Sequence, residues 1–428
     1  MIVHNAEIGR RLKPRYSAGD IRDLLALLIA RGTLDFKPLP SGLYPAANLD
    51  ATAAARSGYG NVWVRDNIYV ALAYEVAGDT AAARSVVAAL AAFYRKHRGR
   101  FAAIVKGEAD PARPMNRPHV RFDGVNLAEN PETWAQAQND ALGYFLWAYC
   151  RMASKGQLAP DRELLALFAL YFQRIRYWED EDSGHWEEAR KVEASSIGAV
   201  VAGLRALRDF AMGGARVFCE FEDRALTPDL LDELVGAGER ALAEILPAEC
   251  VQPVQARRHD AALLFLAYPL DVAGEAMGRG IVDDVLAKLQ GDYGIRRYPG
   301  DSYWTADYKD KLPPGRLTAE YSERQSERDA LARQGEEAQW CIFDPIVSVI
   351  AGRRYRRSRD PADLDQQVRH LNRSLGQITG EGPHAAFRCP EAYYLEHGRY
   401  VPNDQTPLLW TQANLWLALS AMANSASA

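Results

Sequence analysis

The sequence predicts an all-α protein in which paired helices close into a toroid. About a dozen segments carry apolar residues at helical spacing, whereas strand-like runs are few and short. The helical segments are rich in Ala and Leu, and short and long connections alternate between them, which favours helix pairs. No repeat of fixed period runs through the chain, so a closed toroid is favoured over an open array of repeats.

The predicted helices follow one another along the whole chain. The first covers Ile21–Ile29 with Asp20 as its N-terminal cap, and the second starts near Asp66. After the Ala-rich Thr80–Tyr94, a polar loop that contains Pro111, Pro114 and Pro118 leads into a strongly helical segment, Trp134–Met152. The remaining predicted helices are Arg162–Ile175, Ala194–Phe210, Pro228–Ile245, Asp260–Leu266, Ala273–Leu289, Glu336–Ala351, Ala362–Ile378 and Leu408–Met422.

The composition is that of an ordinary globular protein, with 48% hydrophobic and 25% charged residues among 428. No stretch rich in Pro, Gly or Ser divides the chain, so we expect a single domain spanning residues 1–428. The longest irregular stretch, Tyr298–Gln334, contains Pro313–Pro314. Long ordered loops in compact domains are usually functional.

Charge and cysteine content bear on partners and compartment. A net charge of −5 gives no reason to expect nucleic acid or an anionic membrane as partner. No stretch reaches the ~18 apolar residues that span a bilayer, and the N-terminus lacks the apolar core of a signal peptide. The five cysteines are far apart and include no CxxC, which argues against a disulfide framework or zinc site. We expect a soluble cytoplasmic protein.

One stretch, Tyr177–Gly198, combines acids with aromatic side chains: its letters are YWEDEDSGHWEEARKVEASSIG. Trp186 directly precedes Glu187 and Glu188. An apolar wall that stacks on sugar also raises a carboxyl pKa, so that the acid keeps its proton near neutral pH. The alternative is a solvated acidic loop that leads into a helix, and the stretch alone favours that alternative.

Other chemistries lack their motifs. The sequence contains no GxSxG, P-loop or HExxH motif and no GxGxxG in a strand–helix context. The eight histidines show no metal-like spacing, and the acids of EDED lack an EF-hand pattern. We therefore expect neither a metal nor a cofactor.

Five segments together resemble glycoside hydrolase family 15, the glucoamylases. The resemblance is closest to the branch that contains the glucoamylase-like domain of phosphorylase kinase α and β subunits. The segments run in the family's order from about Ser41 to Leu419. They are SGLYPAANL with NVWVRDNIYVALA, WAQAQND, GHWEEARKVEASSIG, KLQGDYGIRRYPGDSYW, and CPEAYY with TPLLWTQANLWLAL.

The resemblance implies an (α/α)6 barrel and hydrolysis of α-glucosidic bonds with inversion, releasing glucose from non-reducing ends. Inversion needs two carboxyl groups ~6.5–9.5 Å apart, with a water between the base and the anomeric carbon. The implied general acid is Glu187, with Glu188 as a neighbour that helps to hold the sugar. The implied base is Glu391 in CPEAYY, with Glu381 and Glu396 as nearby competitors.

The resemblance also implies a set of sugar-binding residues. Arg65 and Asp66 match the pair that grips the terminal glucose, because a guanidinium and a carboxylate can chelate adjacent hydroxyls. The alternative is that Asp66 caps a helix and pairs with Arg65. Trp63 closes one wall of the pocket or packs in the core, and Trp186 stacks beside the acid.

Further candidates come from two other motifs. Trp134 and Gln138 are four apart at a predicted helix start and share one face, with the Trp near the acid and the Gln as a hydrogen-bonding neighbour. Arg297 matches a sugar-binding Arg, with Arg296 as the alternative one residue away. Asp140 is expected to be structural, and Trp410 and Gln412 are expected to belong to the packing of the last helix.

The sequence thus predicts an inverting, exo-acting α-glucoside hydrolase that acts on oligosaccharides or a small α-glucoside. The alternative is a carbohydrate-sensing or regulatory glucoamylase-like module with little or no hydrolysis. The presence of Glu187, Glu391, Arg65, Asp66 and Arg297 together favours the enzyme.

Overall fold

Helices of an outer and an inner layer alternate along the chain. The computed structural model describes residues 2–213, 219–252 and 255–427. We label the layer helices in chain order: α1 (Ala18–Ala30), α2 (Val64–Val76), α3 (Thr80–Lys96), α4 (Asn139–Ser154), α5 (Arg162–Ile175), α6 (Ala194–Met212), α7 (Pro228–Ile245), α8 (Leu264–Ala267), α9 (Glu275–Lys288), α10 (Phe343–Ser358), α11 (Pro361–Gly376) and α12 (Leu409–Ala426).

The even-numbered helices form a closed inner ring. Each packs against the next, from α2 to α4, α6, α8, α10 and α12, and α12 packs against α2. The odd-numbered helices lie outside: α1 packs on α12, α3 on α2, α7 on α6, α9 on α8 and α11 on α10, while α5 contacts α4 and α6. Six inner and six outer helices make an (α/α)6 barrel, so the all-α toroid is confirmed.

The two layers differ in which side chains they bury. Inner helices such as α6 and α12 are buried almost all round, whereas the outer helix α7 buries one apolar stripe that includes Leu231, Leu234 and Leu242. The helices α4 and α6 approach closely because Gly143 faces the backbone of Ala199, where an added Cβ would lie 2.4 Å from the carbonyl carbon. The hydrophobic core therefore lies between neighbouring inner helices and between the inner and outer layers.

Short strands and helices lie in the connections. The strands are β1 (Val62–Trp63), β2 (Arg121–Asp123), β3 (Ala128–Glu129), β4 (Glu220–Phe221), β5 (Arg224–Ala225), β6 (Gln339–Trp340), β7 (Ala392–Glu396) and β8 (Arg399–Pro402). They form antiparallel sheets in the orders β1-β2-β3, β4-β5 and β6-β7-β8. Short α-helices cover Ala6–Gly9, Ala51–Ser57, Gly99–Lys106, Tyr308–Lys311 and Gln325–Asp329.

In the part of the chain that is described, no helix combines the length and apolar character that crossing a bilayer requires.

Three predicted helix starts were wrong, the first for a local reason and the other two because of contacts between distant segments. The cap of α1 is Ser17, and Asp20 closes the capping box as its third helical residue. The helix predicted from Trp134 begins at Asn139, whose backbone N–H donates to Asp182. The helix predicted from Glu336 begins at Phe343, because β6 pairs with β7 first.

Candidate active site

The segments that lead into the inner helices converge on one pocket. Because these segments all precede inner helices, the N-termini of those helices face the same end of the barrel, which favours negative charge there. The pocket is lined by Ala46, Tyr59, Trp63, Arg65, Asp66, Trp134, His185, Trp186, Glu187, Arg297, Tyr303, Thr318, Ala319, Glu320, Tyr321, Arg328, Trp340, Glu391, Leu408 and Trp410.

Glu187 lies in the pocket in a neutral hydrogen-bonding environment. Its Oε1 accepts hydrogen bonds from Trp63 Nε1 at 2.6 Å and from Gln138 Nε2 at 3.0 Å. Its Oε2 makes no hydrogen bond to any of the described residues. Burial raises the pKa of the Glu187 carboxyl, and Arg65 and the two hydrogen bonds offset only part of that rise. The carboxyl can therefore keep a proton at a higher pH than an exposed glutamic acid.

Glu188 is buried behind the pocket and does not line it. Its Oε1 accepts from Arg297 Nη2 at 2.8 Å and from Arg328 Nη2 at 2.7 Å, and its Oε2 accepts from the Tyr298 hydroxyl at 2.6 Å. Burial alone would raise the pKa of Glu188, but Arg297, Arg328 and Arg257 outweigh burial and lower it. Glu188 is thus an ionised carboxylate among arginines.

Glu391 lines the pocket immediately before β7. Its Oε1 accepts from the Tyr59 hydroxyl at 2.7 Å, and its Oε2 accepts from Asn403 Nδ2. Burial raises the pKa of Glu391 to about 7, against the effect of these two hydrogen bonds. The competing acids of the same region, Glu381 and Glu396, do not line the pocket, and Glu381 is exposed.

Arg65 and Asp66 occupy the first turn of α2, and both line the pocket. Arg65 pairs with Asp140 on α4, its Nη1 lying 2.5 Å from Asp140 Oδ2, and its Nη2 donates to the His185 carbonyl at 3.1 Å. The expected structural role of Asp140 agrees with this contact. Burial raises the pKa of Asp66 to about 7, with Arg65 opposing the rise. Trp63 is the N-cap residue and makes no side-chain cap bond, so Asp66 is not the cap.

Arg297 lies between the pocket and the buried charges below it. Its Nε donates to Asp301 Oδ2 at 2.6 Å, and its Nη2 reaches Glu188. The guanidinium carbon lies 5.2 Å from the ring centre of Trp186 and 5.1 Å from that of Trp340. Two carboxylates and two indoles therefore hold the guanidinium plane in place. The adjacent Arg296 pairs with Glu337 and does not line the pocket.

The predicted aromatic residues all line the pocket. Trp63 and Trp134 meet edge to face with ring centres 5.9 Å apart, and Trp186 donates from Nε1 to Asp260 Oδ1 at 3.0 Å. Gln138 does not line the pocket and reaches it through its bond to Glu187. Because α4 begins only at Asn139, Trp134 and Gln138 do not share a helical face, contrary to expectation.

Several pocket residues escaped sequence reasoning. Trp410 lines the pocket from the first turn of α12, although it was assigned to helix packing, whereas Gln412 donates to the Thr33 carbonyl outside it. Tyr59 had one available signal, since it lies four residues before Trp63 in the same motif region. Tyr303 lies in the long loop and within the segment KLQGDYGIRRYPGDSYW, which was a signal for it, whereas Trp340 lies outside the five segments.

The long loop contributes a segment that we call the strap, residues 313–328. Four consecutive strap residues, Thr318 to Tyr321, line the pocket. Thr318 Oγ1 donates to the Ser57 carbonyl at 2.9 Å, in the segment that leads into α2. At the strap's other end Gln325 Oε1 accepts from the Ala189 N–H at 2.6 Å, and Arg328 holds Glu188. The strap therefore connects the segments before α2 and α6 and lines the pocket between these two contacts.

Most of the chain matches the model of a known protein family. The model of glycosyl hydrolases family 15 matches residues 22–334. The chain belongs to this family. The matched residues include the segments before α2, α4 and α6 and the whole strap, whereas Glu391 lies beyond them.

Family 15 relatives resemble the chain in sequence and in fold. The probable phosphorylase b kinase regulatory subunit alpha of Drosophila melanogaster is 24% identical over 360 residues, covering 78% of this chain and 26% of the subunit. The chain thus spans about a quarter of that relative's length. A wild-type glycosidase superposes with a TM-score of 0.66 at 18% identity over 98% of each chain. The glucoamylase from Saccharomycopsis fibuligera has a TM-score of 0.58 at 13% identity over 97% of each chain. These two structures share the fold.

Proposed function

We propose that the protein is an inverting, exo-acting α-glucoside hydrolase of the glucoamylase type. It would release glucose from oligosaccharides or from a small α-glucoside, without a cofactor, with the whole chain serving as one glucoamylase-like domain in the cytoplasm. The observation that carries the proposal is the presence of two buried carboxyl groups, Glu187 and Glu391, on one sugar-sized, tryptophan-lined pocket in a family 15 barrel.

In this mechanism Glu187 is the general acid. It donates its proton to the glycosidic oxygen as the bond to the anomeric carbon breaks. Its raised pKa supports this role, as does an Oε2 that is free of hydrogen bonds to the described residues. The surrounding arginines lower the pKa of Glu188, which favours Glu187 over Glu188 as the proton donor.

Glu391 is the general base. It takes a proton from the water that attacks the anomeric carbon on the face opposite the leaving group, so that α-linked substrate gives β-glucose. Hydrogen bonds to both of its oxygens, from Tyr59 and Asn403, stabilise the ionised carboxylate that a base needs. A pKa of about 7 for this buried group suits proton uptake near neutral pH.

The terminal glucose is held by directional polar groups and aromatic walls. Arg65 and Asp66 present a donor fork and a carboxylate to adjacent hydroxyls, and Arg297 presents a second guanidinium. Trp63, Trp134 and Trp186 supply stacking surface around the ring. Arg65 is held in place by the bond that it donates to Asp140, and Arg297 by the bonds that it donates to Glu188 and Asp301.

The position of the strap favours the hypothesis that the substrate is small and not a polymer. Thr318, Ala319, Glu320 and Tyr321 line the pocket, and the bond from Thr318 to Ser57 tethers them to the segment before α2. We propose that these four residues form the mouth of the pocket. A long glucan would have to pass this tether, whereas a disaccharide or short oligosaccharide extends only a few atoms beyond the terminal ring. We therefore expect activity to fall with chain length.

The decisive experiment is glucose release from a panel of maltose, isomaltose, maltotriose, trehalose and glycogen, with the product anomer followed by NMR. Release of β-glucose from an α-linked substrate supports the proposal and identifies the bond. The Glu187→Gln protein serves as the control for contaminating glucosidase. Initial release of α-glucose would contradict inversion, and absence of release from all substrates would contradict hydrolysis of these bonds.

The second candidate is a carbohydrate-sensing or regulatory module with little or no hydrolysis. It is favoured by the names of the relatives, which are regulatory subunits of phosphorylase b kinase. The same panel separates the two functions: sugar binding by calorimetry without any glucose release would support the regulatory module. Turnover of any substrate at enzymatic rates would reject it.

A further inference from the structure

A second cavity adjoins the pocket and contains two arginines, Arg56 and Arg388. We call it the arginine cavity; its volume is about 410 Å³. Thr318 of the strap lines both the cavity and the pocket. The lining comes from three parts of the chain: Asn48, Leu49, Asp50, Ala53, Arg56 and Ser57; Pro314, Leu317 and Thr318; and His384, Ala385, Arg388, Asp404, Gln405, Thr406 and Pro407.

The two acids of the arginine cavity are engaged by groups other than its arginines. Asp50 caps the helix Ala51–Ser57, and its Oδ1 accepts from the N–H groups of Thr52 and Ala53, both at 2.9 Å. Asp404 forms an ion pair with Lys309 at 2.5 Å. Neither carboxylate forms an ion pair with Arg56 or Arg388.

The two arginines have no carboxylate partner among the described residues. Arg56 makes no side-chain hydrogen bond or ion pair there, and Arg388 Nη1 donates only to the Gly32 carbonyl at 3.3 Å. Gln405 is 2% exposed, and its Oε1 accepts no hydrogen bond within the described part of the chain. The cavity thus offers two uncompensated guanidinium groups and one buried acceptor without a donor.

This combination selects a ligand by its chemistry. Guanidinium groups bind phosphate oxygens through pairs of charge-assisted hydrogen bonds. An unused amide oxygen calls for a donor, such as a hydroxyl group of the same ligand. We propose that the arginine cavity binds a small phosphate monoester that carries free hydroxyl groups, such as a sugar phosphate, at a site separate from the pocket around Glu187.

The position of the arginine cavity connects it to the candidate base. Glu391 receives its two side-chain hydrogen bonds from Tyr59 and Asn403, and its backbone N–H donates to the Gln405 carbonyl at 3.1 Å. Tyr59 follows the cavity residue Ser57 by two positions, and Asn403 directly precedes Asp404. A ligand in the cavity therefore contacts both segments that position the base, and its binding can act on the pocket.

Calorimetry of the full chain tests the proposal without reference to hydrolysis. Glucose 6-phosphate, inorganic phosphate and glucose are titrated separately at constant ionic strength. We expect saturable binding of glucose 6-phosphate, weaker binding of phosphate, and binding of glucose 6-phosphate that is undiminished when glucose fills the pocket. Absence of saturable binding by both phosphates, or displacement of glucose 6-phosphate by glucose, would overturn the proposal.

Variants locate the site. Arg56→Ala combined with Arg388→Ala is expected to weaken glucose 6-phosphate binding about tenfold or more, because each arginine contributes a charge-assisted bond. Arg84→Ala, an exposed arginine on α3 away from the cavity, is the control and should leave the affinity unchanged. If the double variant does not fold, the single variant Arg388→Gln replaces it, with the same expectation of weaker binding. Equal affinity in the cavity variants and the control would reject the site.

Discussion

The carboxylates of Glu187 and Glu188, adjacent in the chain, lie in opposite electrostatic environments. Glu187 has a φ of 57°, in the left-handed region that non-glycine residues rarely adopt, and this conformation directs the two side chains apart. Glu187 faces the pocket and accepts bonds from neutral donors, whereas Glu188 faces Arg297 and Arg328. Of the two, only Glu187 has a raised pKa.

The first prediction concerns the proton donor. Glu187→Gln should lower kcat about 10²–10⁴-fold while sugar binding is retained, because only the transferable proton is lost. The variant should keep more activity towards α-glucosyl fluoride, whose leaving group needs no protonation. Turnover and glucose affinity, measured by kinetics and calorimetry, check both points. Near-wild-type turnover of the natural substrate would remove Glu187 from the acid role.

Tyr59→Phe tests the base through its pKa. The Tyr59 hydroxyl stabilises ionised Glu391, so its removal should raise the pKa of Glu391 further. A base must be ionised, and activity is lost as pH falls through its pKa. The acidic limb of kcat/KM should therefore move to higher pH, by about one to two units. Tyr16→Phe, whose hydroxyl bonds to Asn372 far from the pocket, is the control. An unmoved limb would place the base elsewhere.

Asp140→Asn tests the buried pair that holds Arg65. The Arg65 and Asp140 side chains are only 4% and 0% exposed, so the substitution leaves a buried guanidinium without its counter-charge. We expect the free energy of unfolding to fall by about 3–5 kcal/mol, measured by urea denaturation, and KM to rise in the folded fraction. Asp365→Asn removes the exposed partner of Arg15 and should change little. Equal stability of the two variants would contradict this account.

Because of the strap, we predict that kcat/KM depends on the length of the substrate. For a series of oligosaccharides with the cleaved linkage, kcat/KM should decrease from the disaccharide to the heptasaccharide and be lowest for the polymer. Tyr321→Ala removes a buried side chain from the pocket mouth and should raise the ratio of long to short substrate activity. Glu323→Ala, an exposed strap residue outside the pocket, should leave that ratio unchanged. A preference of the wild-type protein for glycogen would contradict the role of the strap.

Glu249→Gln tests the cost of a buried carboxylate. Burial raises the pKa of Glu249 well above its usual range, and its Oε2 has no partner among the described residues. The folded state therefore binds this proton more tightly than the unfolded state, so the stability it contributes is lost as pH rises above the unfolded pKa. Gln stays neutral, so the variant's unfolding free energy should decline less between pH 5 and 8. Glu244→Gln, exposed on α7, should keep the wild-type slope, and parallel curves for both variants would refute the prediction.

The first and last residues of some helices were predicted correctly from the sequence. The helices α5 and α7 have the predicted bounds, Arg162–Ile175 and Pro228–Ile245, because their apolar spacing repeats every turn and Thr227 with Pro228 marks a helix start. The bounds failed at α4 and α10, where tertiary contacts decide. The Asn139 backbone bonds to Asp182, and Trp340 pairs with Ala392 before α10 begins. The apolar spacing of a segment depends only on residues that are close in the chain, so it does not show contacts with distant segments.

The sequence by itself determined most of the helical segments, because helix formation depends on neighbouring residues, and its resemblance to family 15 implied the candidate acids. Only the tertiary structure decided which acid faces the pocket. The arginines around Glu188 and the donors to Glu391 come from segments up to 332 residues apart in the chain. Ring closure brings those segments together, as it does the strap and the arginine cavity. The pKa of each carboxyl depends on these assembled neighbours and on burial, which no stretch of sequence contains.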